Sequence, residues 1–378
     1  MRASVSSALD IRRLLILASL LVLTALTLSG GFAGDAWGQR SDPVPSESPT
    51  GGQVPGNVLG SQADSDLWRA VRQGVQGRVS IPDTQAGQLI QSEGDNWRAW
   101  RNGPLTVYGA WILLGAVAVV ALFFAVRGRI RIDSGPSGVT VERFNMIERT
   151  AHWITATSFI VLAITGLNLL YGRHVLLPVL RDVMPVWGPE IFTAITMAGK
   201  YAHNFLAFAF MVGVVMMFLL WIKDNIPSRL DLIWLAKGGG LFAKGVHPPA
   251  AKFNAGQKLI FWAVVLGGVS ISLSGLALLF PFEFAFFAKT FEILNMVGFS
   301  LPTELTMMQE MQLSQLWHAI VGLVLIAIIV GHIYIGSVGM EGAFDAMGSG
   351  QVDSNWAREH HSVWAAKVAG GSHSHPAE

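Results

Sequence analysis

The sequence predicts an all-α integral membrane protein, and three observations carry that reading. Hydrophobic residues make up 52% of the 378 and charged residues only 13%, about half the roughly 25% charged share of soluble domains. Apolar runs near 20 residues long recur, the length needed to cross a hydrocarbon layer of ~30 Å as a helix. The formal net charge is +1, which gives no basic face for nucleic acid.

The first apolar run, RRLLILASLLVLTALTLSG, follows Arg12 and Arg13 and is succeeded by Ala36-Trp37-Gly38. A basic start, an apolar core and small residues before a cleavage point predict a secretory signal over 1–38; an uncleaved signal anchor is the alternative. Either way the chain from 39 onward starts outside the cytoplasm. Residues 39–104 form a polar segment that opens with SDPVPSESPTGGQVPGN, too poor in apolar side chains to order itself. Its end carries Trp97 and Trp100. These suit either the interfacial aromatic belt or a docking surface for a partner.

Five further spans are expected at 105–126, 151–171, 202–222, 258–280 and 314–338. Lysine and arginine set their direction, because cytoplasmic loops hold the excess. Segment 127–150 has Arg127, Arg129, Arg131, Arg143 and Arg149; segment 223–258 has Lys223, Arg229, Lys237, Lys244, Lys252 and Lys258. The alternate loops have Arg173, Arg181 and Lys200, and Lys289 alone. Hence 127–150 reads as a cytoplasmic linker, 151–340 as the main membrane domain and 341–378 as a cytoplasmic tail. The bilayer is that of the bacterial inner membrane, with the mature N-terminus periplasmic.

Histidines inside hydrocarbon are costly and mark sites. Leu316 to Gly336 reads LWHAIVGLVLIAIIVGHIYIG, with His318 and His332 fourteen residues apart. That interval is about 21 Å along a helix and returns to within about 40° of the same face. With the expected topology, His203 lies at the depth of His318, near the periplasm, and His152 at the depth of His332, near the cytoplasm. Histidines paired by depth predict two haems, each iron held by two imidazoles with no open position, the arrangement of electron transfer. Gly322 and Gly331, beside the two histidines of this span, suit a flat macrocycle or plain close packing of helices. Cysteine is absent, which excludes iron–sulfur clusters, covalent c-type haem and thiolate metal sites in this chain. A histidine-based ion transporter is the competing class, but it would want acidic partners, and none of the expected spans has Asp or Glu in its interior. His174, His247, His373 and His375 lie in loops or a Gly/Ser tail and are expected in solvent.

From about residue 140 to 365 the chain resembles the cytochrome b (gamma) subunit of respiratory membrane-bound formate dehydrogenases. The likeness rests on ERTAHW around His152, AHNFLAF around His203, KDNIPSR, KFNAGQKLIFW, LWHAIVG, GHIYIG and the tail WAREHH. Histidine pairing alone is shared with the cytochrome b subunits of hydrogenases and related reductases, the runner-up reading. The resemblance implies a four-helix di-haem cytochrome b bundle, to which the N-terminal region and span 105–126 are additions. It implies two haem b, the periplasmic one on His203 and His318 and the cytoplasmic one on His152 and His332. Its implied partners are an iron–sulfur (beta) subunit and a catalytic (alpha) subunit with a molybdenum or tungsten pterin, which itself oxidises formate. Electrons would pass to a quinone, menaquinone or ubiquinone, near the cytoplasmic side. The quinone residues carry over onto Asn254, Gly256, Gln257 and His332, although Asn254 also suits an ordinary helix N-cap. No role follows from the sequence for His360 and His361.

Overall fold

The computed structural model describes residues 94–371, Phe282 excepted; the expected signal and most of the polar segment lie outside the described residues. Five helices are long and apolar enough to cross a membrane: α1 (Gly94–Arg127), α2 (Met146–Tyr171), α4 (Gly188–Trp221, with one more turn to Asn225), α6 (Ala255–Leu279) and α8 (Met307–Tyr334, continuing to Gly339). The chain is a multi-pass, all-α membrane protein. Short helices join the spans: α3 (Leu176–Val183), α5 (Arg229–Ala236) and α7 (Phe286–Met296).

Three of the spans start with the same device. The side chain of Asn145, Asn254 or Thr306 accepts from the backbone N–H three residues on, and Glu148, Gln257 or Gln309 reaches back to the capping residue's own N–H. Each such box satisfies two backbone donors that a helix start otherwise leaves bare. The spans begin earlier than hydropathy predicts, because these polar first turns are helical without being apolar. α1, from Gly94 against an expected 105, begins eleven residues early. It takes in Trp97 and Trp100 and passes Pro104 through a π turn at Arg101–Leu105, a wider turn that tolerates the missing proline N–H.

α2 packs along α4, α4 on α6, α6 on α8, and α1 against the far side of α8. α1 is held by more than apolar contact: the Tyr171 hydroxyl donates to the Thr106 carbonyl at 2.9 Å, and Arg127 Nε donates to Leu241 O at 2.9 Å. Backbone contact between α8 and α2 is sparse, and side chains span the gap between these two helices. Outward faces carry Phe205, Leu219, Leu266 and Ile164, all exposed, as helices facing lipid require.

At the end of the bundle that holds Arg127 and Met146, segments 128–145, 223–254 and 340–365 form a compact cap. Strands β1 (Thr140–Glu142) and β2 (Gln351–Asp353) pair antiparallel, with Val141 opposite Val352. Helices α9 (Asp345–Gly348), α10 (Ser354–His360) and α11 (Ser362–Gly371) complete it. Phe144, Trp221, Phe253, Val352 and Trp356 are buried together, each large side chain stabilising by roughly 1.5–3 kcal/mol. The Arg143 guanidinium lies among them, 5.0 Å from the Trp356 ring and 5.5 Å from that of Trp364, and Nη2 donates to Lys252 O at 2.7 Å. Burial lowers its pKa to about 9.

Candidate haem-binding sites

Two pairs of imidazoles face each other across the gap. His203 on α4 meets His318 on α8 with ring centres 6.1 Å apart and planes at 62°. His152, in the second turn of α2, meets His332 near the end of α8, with centres 6.2 Å apart and planes at 59°. The structure thus joins the four histidines in the combination their depths predict.

The separation is chemically specific. Two imidazoles bound through nitrogen to opposite sides of one metal ion, at about 2.0 Å each, have ring centres roughly 6 Å apart. Among the described residues no group of three or more His, Cys, Asp or Glu could hold a metal ion by itself. Two imidazoles without further protein donors suit a metal that brings its own equatorial ligands, as haem iron does.

Hydrogen bonds settle the ring tautomers at the first pair. His318 Nδ1 lies 3.0 Å from the Ile271 carbonyl oxygen, which only accepts, so Nδ1 carries the proton. The Ser274 hydroxyl donates to the same carbonyl at 3.0 Å and accepts from His318 Nδ1 at 3.1 Å. Across the gap, the Thr165 hydroxyl donates to Val161 O at 2.7 Å and accepts from His203 Nδ1 at 2.9 Å. Both rings therefore keep the Nε2 lone pair for a metal. This is the orientation a haem ligand needs, with the outer N–H fixed by a second layer of oxygens.

Room for these rings comes from glycine. A Cβ on Gly275 would stand 3.1 Å from His318 Cε1, and one on Gly166 would stand 3.4 Å from His203 Cε1. Sequence reasoning passed over both, and over Thr165 and Ser274, although a signal was present. Thr165-Gly166-Leu167 on α2 and Ser274-Gly275-Leu276 on α6 are the same motif, hydroxyl, glycine, leucine, each serving the histidine of the following long helix. Of the glycines singled out beforehand, Gly322 faces Ile271 of α6 and is a packing glycine, whereas a Cβ at Gly331 would meet open space.

The second pair is furnished differently. Among the described residues His152 Nδ1 is buried without a hydrogen bond, and none bonds the His332 ring. His152 instead sets its ring edgewise against Trp153, 5.2 Å between centres.

Near that end of the bundle lie the residues carried over for quinone. Asn254 Oδ1 and Gln257 Oε1 are engaged in the cap of α6, accepting from Gln257 N at 2.9 Å and Asn254 N at 3.1 Å. Among the described residues their amide nitrogens make no hydrogen bond. Gly256 lies under Trp234, whose ring a Cβ there would meet at 3.0 Å.

His360 and His361, without a role from sequence, belong to the cap. His361 is buried and its Nδ1 bonds the Ala251 carbonyl at 2.8 Å. The His360 ring packs between Trp356 and His247. His174 is exposed as expected. His247 is exposed yet bonded to Asp133 at 3.0 Å, while His373 and His375 lie outside the described residues.

The chain is similar in sequence to cytochrome b subunits of known proteins. A cytochrome b556(Fdn) subunit of the nitrate-inducible formate dehydrogenase of Escherichia coli K12 is 27% identical over 231 residues, 60% of this chain and 91% of that one. The cytochrome b556(fdo) subunit of the same organism is 27% identical over 230 residues, covering 61% and 93%. A formate dehydrogenase cytochrome b556 subunit of Haemophilus influenzae is 25% identical over 219 residues, 57% of this chain and 78% of that one. The family described as prokaryotic cytochrome b561 matches residues 143–350, more than half of the chain and inclusive of all four facing histidines. The chain belongs to the prokaryotic cytochrome b561 family.

Proposed function

We propose that this chain is the di-haem b membrane subunit of a formate dehydrogenase, passing electrons from a periplasmic iron–sulfur subunit to a quinone at the cytoplasmic side. The observation that carries the reading is the pair of facing imidazole couples, 6.1 and 6.2 Å between ring centres, at two levels of one bundle. His203 with His318, and His152 with His332, would each hold a haem b, which would supply reversible one-electron storage there.

The chain's own residues do the rest. α8 lends one histidine to each level, so a single rigid rod fixes the spacing of the two sites. Apolar spans exclude water from the gap. The amide nitrogens of Asn254 and Gln257 are positioned as donors to a quinone oxygen, and His332 is the ligand assigned to that level. The Lys/Arg excess in 127–150 and 223–258 supports a cytoplasmic placement of the cap and of the His152–His332 pair, with the mature N-terminus outside. A molybdenum or tungsten pterin subunit oxidising formate outside, and quinone taking protons from inside, would make each turnover electrogenic, at ~2.3 kcal/mol per electron per 100 mV.

Purification of the complex from membranes, identification of its chains and a pyridine haemochrome assay test the proposal. Expected are two haem b per copy of this chain, both reduced by formate, and inverted topology labels that place residue 350 inside. One haem, or co-purification with a hydrogenase in place of an iron–sulfur and pterin pair, would overturn it.

A further inference from the structure

The two imidazole couples differ in one respect that bears directly on redox chemistry. At the first, both Nδ1–H groups are hydrogen-bonded: His203 to Thr165 Oγ1, and His318 to Ile271 O and Ser274 Oγ. At the second, His152 Nδ1 is buried and makes no bond, and no described residue hydrogen-bonds the His332 ring. An N–H donated to an oxygen leaves electron density on the ring and makes the opposite nitrogen a stronger base toward a metal. A more basic ligand favours the more positive, oxidised iron and lowers the reduction potential.

We infer that Thr165 and Ser274 are positioning residues that make the His203–His318 site the lower-potential one, building a downhill step toward His152–His332. The transfer is of one electron and no proton: the first site is oxidised, the second reduced, and each Nδ1 keeps its hydrogen throughout. The inference rests on the proposed function for the source and destination of the electrons. The repeated Ser/Thr-Gly pair gives it a structural logic. In α2 and in α6 the hydroxyl bonds the Nδ1 of a histidine on the next long helix, and the neighbouring glycine clears space beside that same ring. Among the described residues no Ser or Thr hydroxyl bonds the ring of His152 or His332. A downhill step of this direction also opposes the electrical cost of moving an electron inward across an energised membrane.

Potentiometric titration of the haem absorption bands in the intact complex tests it. In the unaltered protein, the component lost in His203→Ala should have the lower midpoint and the component lost in His152→Ala the higher. Thr165→Val keeps the shape and removes the hydroxyl acceptor, leaving His203 only the Leu162 carbonyl, so the lower midpoint should rise toward the upper one while the upper stays in place. Thr165→Ser restores the acceptor and should restore the midpoint. Ser274→Ala should act in the same direction but less, since the Ile271 carbonyl remains. A reversed order in the unaltered protein overturns the inference without any second-layer variant having to fold. So does an unmoved lower midpoint in a Thr165→Val protein with two haems. Finding fewer than two haems in the unaltered protein would instead sink the proposed function itself.

Discussion

Lys252 Nζ stands 2.6 Å from Glu148 Oε1, one helical turn ahead of His152. The same carboxylate accepts from Trp221 Nε1 at 2.9 Å and from Asn145 N at 3.0 Å. One side chain thus gathers the start of α2, the end of α4 and the approach to α6 around a histidine of the second pair. Lys252→Met should leave a buried carboxylate short of its charged partner and cost about 2 kcal/mol. The loss should appear as a lower melting temperature, with the His152–His332 site emptying first when the haem spectrum is followed on heating.

Each histidine variant reports on a pairing. His203→Ala and His318→Ala should remove one and the same spectral component, and His152→Ala and His332→Ala the other, leaving about half the haem in each case. Low-temperature difference spectra distinguish the two. Loss of the same component in His203→Ala and His152→Ala would show that the facing couples are not the ligand sets.

Asn254→Asp and Gln257→Glu separate the two roles of the α6 start. Asp and Glu at these positions still accept the backbone N–H bonds of the cap but carry no N–H to give a quinone. Stability should hold to within about 1 kcal/mol while quinone reduction by formate slows roughly tenfold or more, one lost hydrogen bond being worth about 1.5 kcal/mol. Haem reduction by formate should continue. Normal quinone turnover in both variants would move the quinone elsewhere.

The cap should loosen in acid in two stages. Burial, with the charge of Arg143 next to it, holds the His361 pKa well below its ordinary value. Burial also takes His360 down to about 4, with Glu359 opposing in part. Both are neutral when folded, whereas in the unfolded chain they protonate near 6.5. Their contribution is therefore complete above about pH 6.5 and declines as pH falls from there, by about 3 kcal/mol near pH 4 for His360. Glu359 acts lower. Burial pushes its pKa up, but hydrogen bonds from Ser134 and Asp133 and the nearby His247 outweigh that and leave it depressed. Its contribution is present above about pH 4.3 and is lost as pH falls through the depressed value. Protection of 130–142 from hydrogen exchange, taken relative to the intrinsic rate at each pH, should fall on acidification, with His360→Phe flattening the upper stage and Glu359→Gln the lower.

Gly275→Ala would bring a methyl carbon to 3.1 Å from His318 Cε1, closer than a relaxed contact. The ring must tilt or the helices part, so the first site should lose affinity for haem while the second remains filled. Retention of both haems at full stoichiometry with unchanged spectra would show that α6 can yield there.

The sequence by itself determined the membrane architecture and the four histidines. Both are one-dimensional properties: a helix that crosses hydrocarbon must be an unbroken apolar run, and fourteen residues on one helix fix a depth and a face. The first turns escaped hydropathy because capping residues are polar, so α2, α6 and α8 begin five, three and seven residues before the apolar runs do. What only the tertiary structure decided is who stands behind each imidazole. Thr165 and Ser274 lie 38 and 44 positions from the histidines they bond, and whether a serine or threonine in a span turns to its own helix or to a neighbour depends on helix rotation, which periodicity leaves open. The cap was hidden for a related reason. Arg143 reads only as one of the charges of a cytoplasmic linker, and His361 and Glu359 carry no role in the sequence, because their burial requires three segments distant in sequence to meet. Aromatic walls and backbone carbonyls compensate them only once those segments have folded together.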